Sequence, residues 1–259
     1  MERAGAFSLR LHDLLRSPAA GRIIADVRIG ATYIAVRLDD GSVGLAAFPT
    51  ADIPLQCPPF PSPASLVGIE AASSLSWLIE KDNPRKKAIA LATANALIRQ
   101  DRCDAIGDAF DLIRVKPADR IVMVGRFTPL VGRIAAIGAT LTILEKDAAK
   151  GLVLGKRERR EVLQGATVAL ITATTLLYDS LEEILAGLGD PRHVVLLGPS
   201  TPMLPELFAG TSVRHLGGVR INDARGILQI VANGGGTRSM RPCLETTNLF
   251  IDKHLVQRR

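Results

Sequence analysis

Cysteine is scarce in this sequence: there are three among 259 residues, Cys57, Cys103 and Cys243, far apart and odd in number. Such a set offers no disulfide framework, so reduced thiols in a cytoplasmic setting are expected. The histidines His12, His193, His215 and His254 stand at no metal-ligand spacing with the cysteines, and no preformed Cys/His metal site is expected. Aromatic residues make up only 4% of the chain, and none interleaves with its densest basic run, Lys150, Lys156, Arg157, Arg159 and Arg160. That run reads as a solvated loop or helix face rather than a nucleic-acid patch. Long apolar runs are missing too. Residues 88–98 come closest and are too short to span a bilayer, and no basic segment followed by an apolar one opens the sequence. Neither secretion nor membrane insertion is expected.

What is present points to a folded chain with a sizeable core. Hydrophobic residues are 47% of the total, enough for a large core. The net charge of +6 is uneven: residues 1–116 carry 14 basic and 13 acidic groups, and residues 117–259 carry 18 and 13. A mildly basic second half is compatible with an anionic small ligand.

Periodicity divides the chain near Pro117. In the first part, Phe7, Leu11, Leu14 and Leu15 share one side of a helix, and residues 22–28, 32–38 and 43–48 read as strands, with Asp40-Gly41 as a hairpin signal. Six prolines between Pro49 and Pro63 predict an irregular crossing. A helical stretch over 65–80 follows, then a helix to about Arg99 capped by Asn83 with Pro84 at its first position. Residues 105–113 read as a further helix. The result is an α+β domain over 1–116. Beyond it, strands at 120–124, 140–144, 167–171, 193–197 and 212–216 alternate with helices at 129–137, 181–188, 203–208 and 222–231. Repeated βα units predict a doubly wound, Rossmann-like parallel sheet over 117–259.

In such a sheet ligands bind outside the carboxyl ends of the strands. Those exits carry Gly125, Arg126, Phe127 and Thr128 after the first strand, Glu145 after the second, Thr172, Thr174 and Thr175 after the third, and Gly198, Pro199, Ser200 and Thr201 after the fourth. Gly125 would let a ligand approach closely, but the loop departs from G-x-G-x-x-G. Glu145 lies 20 residues after Gly125, the spacing at which an acidic group meets a ribose hydroxyl; pairing with Lys146 is the alternative. Prolines on either side of Ser200-Thr201 would fix the backbone and leave both hydroxyls for a ligand. The threonines of TATTL suit ligand contacts or helix caps. Gly234 to Gly236 followed by Arg238 suggests either a loop closing on an anion or a helix C-cap. Tyr33 could project from the meander towards the other domain, and Asn95 is an amide out of character in an alanine-rich helix; either could instead be a satisfied interior polar group.

The strings VGRFTPLVGRI, TLTILEKD, ITATTLLYDSLEEIL, VVLLGPSTPMLPELF and LGGV resemble a bacterial and archaeal family of unknown function labelled "putative heavy-metal chelation". DVRIGATYIAVRL, the GLA of residues 44–46 and ATANAL resemble the enolase N-terminal-like domain that precedes it. The resemblance implies a Rossmann-like domain partly similar to methyltransferases, with a shared interdomain cleft. It also implies condensation or hydrolysis in making pterin-, flavin- or siderophore-like chelators. It places Asn95, Gly125, Phe127, Pro129, Glu145, Thr172, Thr174, Thr175 and 198–202 at the site. Relatives often have histidine where this chain has Arg126, so a neutral general base is missing there.

The expected function is therefore action on a small polar metabolite, with a nucleotide-, pterin- or flavin-like molecule as the ligand in the cleft. A non-catalytic carrier of a metal or metal–chelator complex, and an S-adenosylmethionine-dependent methyltransferase, remain open. Neither nucleic acid nor membrane is expected as a partner, and a homo-oligomer is compatible with the sequence.

Overall fold

Short-range signals build the first half. The computed structural model describes residues 5–49, 61–80, 83–99, 101–145 and 154–251. Cys57, Lys146, Lys150, His254 and most of the proline-rich crossing lie outside the described residues. Helix α1 (Ala6–Ala19) buries Phe7, Leu11 and Leu15, four residues apart on one stripe. Strands β1 (Ile24–Ile29), β2 (Tyr33–Leu38) and β3 (Val43–Ala47) form an antiparallel sheet in that order. The β2–β3 turn is set by Asp40, whose Oδ1 accepts the Ser42 N–H at 2.9 Å.

The helical stretch expected over 65–80 is broken into α2 (Pro63–Leu66), α3 (Ala71–Leu75) and a 3-10 turn, Ser76–Leu78. The break has a cause: Gly68 N donates to Ile24 O, Ile24 N to Ile69 O and Ala71 N to Arg22 O. The backbone of 67–71 satisfies the end of β1 instead of continuing a helix. Helix α4 (Pro84–Leu97) starts where expected, with Asn83 Oδ1 accepting the Lys86 N–H at 3.1 Å. Its alanines let β3 approach so closely that a Cβ on Gly44 would lie 2.1 Å from Ala92 O.

The second sheet has seven strands, in the order β4-β10-β9-β8-β7-β5-β6, and its edge strand β4 comes from residues 105–106, ahead of Pro117. Strand β4 (Ala105–Ile106) and α5 (Ala109–Ile113) replace the single helix expected over 105–113, because β10 recruits Ala105 and Ile106 as an antiparallel edge. β5 (Arg120–Val124), α6 (Thr128–Ile137), β6 (Thr140–Leu144), α7 (Lys156–Gly165), β7 (Val168–Thr172), α8 (Leu181–Gly187) and β8 (His193–Leu197) follow. The fifth strand, β9, lies at His215–Ile221 rather than 212–216, and α9 (Ala224–Ala232) and α10 (Thr237–Met240) come next. β10 (Leu244–Phe250) was not legible as a strand; it pairs antiparallel with β9. The five strands β5 to β9 are parallel to one another.

Side chains from alternate strand positions enter two cores. Ile121, Met123, Val168, Leu170 and Val195 pack with α5 and α6, while Val122, Ala169, Ile171, Val194 and Leu196 join the core of α8 and α1. Helices therefore cover both faces of the parallel run, as a doubly wound sheet requires. At the amino ends of the strands, buried Asp119 ties the sheet together: it accepts from Arg192 Nε at 3.0 Å, Thr167 Oγ1 at 2.9 Å and Lys116 N at 2.7 Å. The Arg192 hydrogen bonds hold the Asp119 carboxyl far below the usual carboxylate range.

The two sheets are joined by apolar packing. One face of the three-stranded sheet lies in the core of α1 and α4; from the other, Tyr33, Ala35, Val43 and Leu45 pack on Ile227, Leu228 and Val231 of α9. Tyr33 does both things anticipated for it, since it is buried and its hydroxyl meets Thr237 Oγ1 at 2.8 Å across the junction. Burial pushes the Tyr33 phenol up. Among the described residues no helix is long and apolar enough to cross a membrane.

Candidate functional site

The register of the parallel strands brings their exits to one edge. Val124 pairs with Leu144 and Ile171, Ile171 with Leu196, and Leu197 with Gly217. Gly125, Glu145, Thr172 and Gly198 each follow or end one of these strands. The chain runs from β5 out to β6 and returns to β7 on the other side of β5, so the strand order reverses between β5 and β7. This topological switch point is where doubly wound sheets open a crevice.

At that point the predicted residues meet. Gly125 adopts φ +82, and a Cβ there would lie 2.5 Å from Thr172 Cγ2. The space vacated by the missing side chain is thus filled by the Thr172 methyl group, not left open for a ligand as the sequence suggested. Glu145 Oε1 accepts the Arg126 N–H at 2.6 Å, so the carboxylate pins the first loop and keeps one oxygen for other contacts. Thr172 Oγ1 lies 3.1 Å from Thr174 Oγ1 and accepts the Thr174 N–H at 3.3 Å, and Thr175 Oγ1 donates to Thr172 O at 2.8 Å. These threonines cap the 3-10 turn Ala173–Tyr178. Phe127 turns into the core of α6, and Thr128 is the exposed first residue of that helix.

The GPSTP loop is spent differently from the expectation. Ser200 and Thr201 are buried; Ser200 Oγ accepts the Ala47 N–H of β3 at 2.8 Å, and Thr201 Oγ1 donates to Gly217 O at 3.1 Å. The rigid display therefore clamps the two sheets together, since each hydroxyl already has a protein partner. Asn95 completes the clamp: its Nδ2 donates to Leu45 O at 2.8 Å and to Ser200 O at 3.2 Å. With both donors committed, Oδ1 faces the other way as an acceptor, and this buried atom has no hydrogen-bond partner among the described residues.

Asn95, Pro199 and Thr201 line one small cavity of about 10 Å³ between the sheets, with Leu45, Met203 and Val219. Ile98 and Ile221 belong both to it and to an adjoining cavity of about 410 Å³, which is bounded by the β2–β3 turn, Arg22 and Arg99. The larger space is of the size that small-molecule sites occupy. Sequence reasoning missed Met203, Val219, Ile98 and Ile221, which are ordinary apolar residues until the halves meet. Arg238 lies exposed on α10, next to the Tyr33–Thr237 contact, and does not line either cavity. The triple glycine before it forms a helix end, with Gly235 N donating to Ile230 O. Among the described residues no three His, Cys, Asp or Glu side chains gather as a metal site.

Comparison with known proteins agrees with this architecture. A crystal structure from Pyrococcus horikoshii, of a protein of unknown function from the DUF364 family, superposes with a TM-score of 0.81 at 16% identity, covering 95% of this chain and 100% of that one. A second DUF364 protein of unknown function, from Desulfitobacterium hafniense, gives 0.76 at 20% identity over 94% and 98%. An uncharacterized protein of Methanocaldococcus jannaschii is 32% identical over 71 residues, a match spanning 27% of either chain. Residues 12–98 match the DUF4213 family, described as "Putative heavy-metal chelation". Residues 108–250 match DUF364, which carries the same description, and the chain belongs to that family.

Proposed function

We propose that the protein binds a small heterocyclic metabolite connected with heavy-metal chelation in the cavity between its sheets, and condenses or hydrolyses it there. The observation that carries this reading is the Asn95 side-chain oxygen, buried, unpaired and lining that cavity. An unpaired buried acceptor is costly, and a ligand N–H or O–H would remove the cost. Pterins, flavins and nucleotides all bring ring amino or imino donors on a flat body; the body would occupy the larger space of about 410 Å³ and point a donor towards Asn95 past Ile98 and Ile221, which line both cavities. A ligand long enough to reach the switch point would meet Glu145 and the Thr172–Thr174 hydroxyl pair.

The family description raises the question of the metal. The small cavity presents an amide oxygen, a hydroxyl and a thioether, from Asn95, Thr201 and Met203. These do not make a strong site for a bare divalent ion. A metal carried on an organic chelator would suit the adjoining space of about 410 Å³ better. A second reading, a non-catalytic carrier, is favoured because no residue lining the small cavity beside Asn95 is a titratable acid or base, and Asp40 in the larger one is already paired with Arg22.

Thermal unfolding of the full chain with a panel of pterins, flavins, nucleotides and S-adenosylmethionine tests the proposal. Ligand at about 100 times its Kd stabilises by about 2.7 kcal/mol, a clear rise in Tm. Ile221→Trp, which fills the junction of the two cavities, should abolish that rise. Equal shifts in both proteins, or no shift with any panel member, would remove the reading. Turnover of the bound ligand separates enzyme from carrier.

A further inference from the structure

Another cavity, of about 460 Å³, lies between α1, α8 and the loop entering β9, and shares no lining residue with the cavities between the sheets. Phe7 and Leu185 give it apolar walls, and Arg10, Glu182 and Ser212 also line it. Glu182 Oε1 accepts the Phe7 N–H at 2.8 Å, which fixes the carboxylate in place. Its second oxygen, Oε2, is buried without a hydrogen-bond partner among the described residues, and so is Ser212 Oγ. The Arg10 guanidinium is anchored by NH1 donating to Ala209 O at 2.8 Å, which leaves its other N–H groups for a further acceptor.

One cavity therefore combines a carboxylate, a guanidinium and a hydroxyl with apolar surface, and Arg10 and Glu182 form no ion pair with each other among the described residues. A purely apolar guest would leave Glu182 Oε2 and Ser212 unpaired. A simple anion would be repelled by Glu182, and a simple cation by Arg10. A guest with both charges and an apolar arm satisfies every wall.

We propose that this cavity binds an apolar α-amino acid. Its ammonium group donates to Glu182 and Ser212, its carboxylate accepts from Arg10, and its side chain lies against Phe7 and Leu185. Nothing in this proposal depends on the cavity between the sheets being a ligand site.

Isothermal titration of the full chain with L-leucine, L-methionine and L-phenylalanine tests it, alongside leucinamide, which lacks the carboxylate, and 4-methylpentanoate, which lacks the amine. At least one amino acid should bind saturably, and both truncated analogues should bind at least tenfold more weakly. Arg10→Gln should weaken amino-acid binding tenfold or more while leaving leucinamide unchanged. Glu182→Gln keeps an oxygen for the Phe7 N–H and should weaken both the amino acid and leucinamide. Ile221→Trp should change nothing at this site. The proposal is overturned if no amino acid binds, if both charge variants bind as the wild type does, or if Ile221→Trp abolishes binding, which would place the ligand between the sheets.

Discussion

His193 and His215 are held in a single tautomeric arrangement, with His193 Nε2 lying 3.1 Å from His215 Nδ1. The proton positions follow from Asn248. Its Nδ2 donates to Ala105 O at 3.3 Å and Gly107 O at 2.9 Å, so its Oδ1 accepts from His215 Nε2 at 2.9 Å. The neutral His215 ring then has only Nδ1 to offer as acceptor, and His193 must donate from Nε2.

The arrangement needs His215 Nδ1 unprotonated, and burial disfavours a charge on His193, which together set a pH dependence. Burial, with the neighbouring His215 and Arg192, pushes His193 down to about 4, and burial lowers His215 although its Asn248 bond opposes the shift. In the unfolded chain both rings protonate near the ordinary value of about 6.5. Stability from His193 is thus full above pH 6.5, declines as pH falls from there towards 4, and gives no further slope below. The partly exposed ring should contribute about 2 kcal/mol over that window. His193→Gln keeps a donor for His215 Nδ1 and should flatten the decline. Urea midpoints measured between pH 4 and 7.5 check this; the same slope in both proteins would contradict it.

The Gly125–Thr172 contact predicts a coupled pair. Gly125→Ala places a Cβ in the left-handed region and against the Thr172 methyl group. About 1 kcal/mol should come from the backbone and 1–2 kcal/mol from the clash. Thr172→Ser removes the methyl but keeps the hydroxyl that caps Thr174 and the Cβ at 2.9 Å, so it should recover part of the steric cost and none of the backbone cost. Denaturant midpoints of the two single variants and the double variant measure the coupling. Strict additivity would mean that the methyl group does not fill the glycine's space.

Much of the fold was legible because its signals are local. Asp40-Gly41 marks a turn, and Asn83-Pro84 marks a helix start, by side-chain bonds that reach two or three residues along the chain. The buried parallel strands announce themselves by continuous apolar runs such as Ile121 to Val124. β10 escaped notice because its central residues, Thr246, Thr247 and Asn248, are polar. Asn248 belongs there only because His215, Ala105 and Gly107 are brought around it. The site was half legible for the same reason. Asn95 stood out as an amide among alanines, but the use of Ser200 as a clamp depends on Ala47, 153 residues away. The cavity walls from Ile98, Met203 and Val219 carry no chemical signature in sequence at all.

Lys87 and Asp179 predict an asymmetry between two substitutions at one ion pair. The Lys87 side chain is 4% exposed and its ammonium pairs with Asp179, whose own side chain is 28% exposed and also accepts from Ser8 Oγ at 2.7 Å. The space around Lys87 is otherwise apolar, with Phe7, Leu11, Leu91 and Leu176 among its neighbours, and the cavity there holds only about 10 Å³. Asp179→Asn removes the counter-charge and strands the ammonium among those side chains, where water cannot replace the lost partner. The loss should be about 3 kcal/mol. Lys87→Met puts a thioether of similar length into the same apolar space and leaves Asp179 with Ser8 and solvent, so it should cost about 1 kcal/mol or less. The pair joins α4 to α1 and to the turn that carries Thr172 to Thr175. Asp179→Asn should therefore also raise amide exchange in α1, while Lys87→Met should not. Equilibrium unfolding with hydrogen exchange reads both effects, and a greater loss in Lys87→Met than in Asp179→Asn would show that the charge, and not its desolvation, holds the helices together.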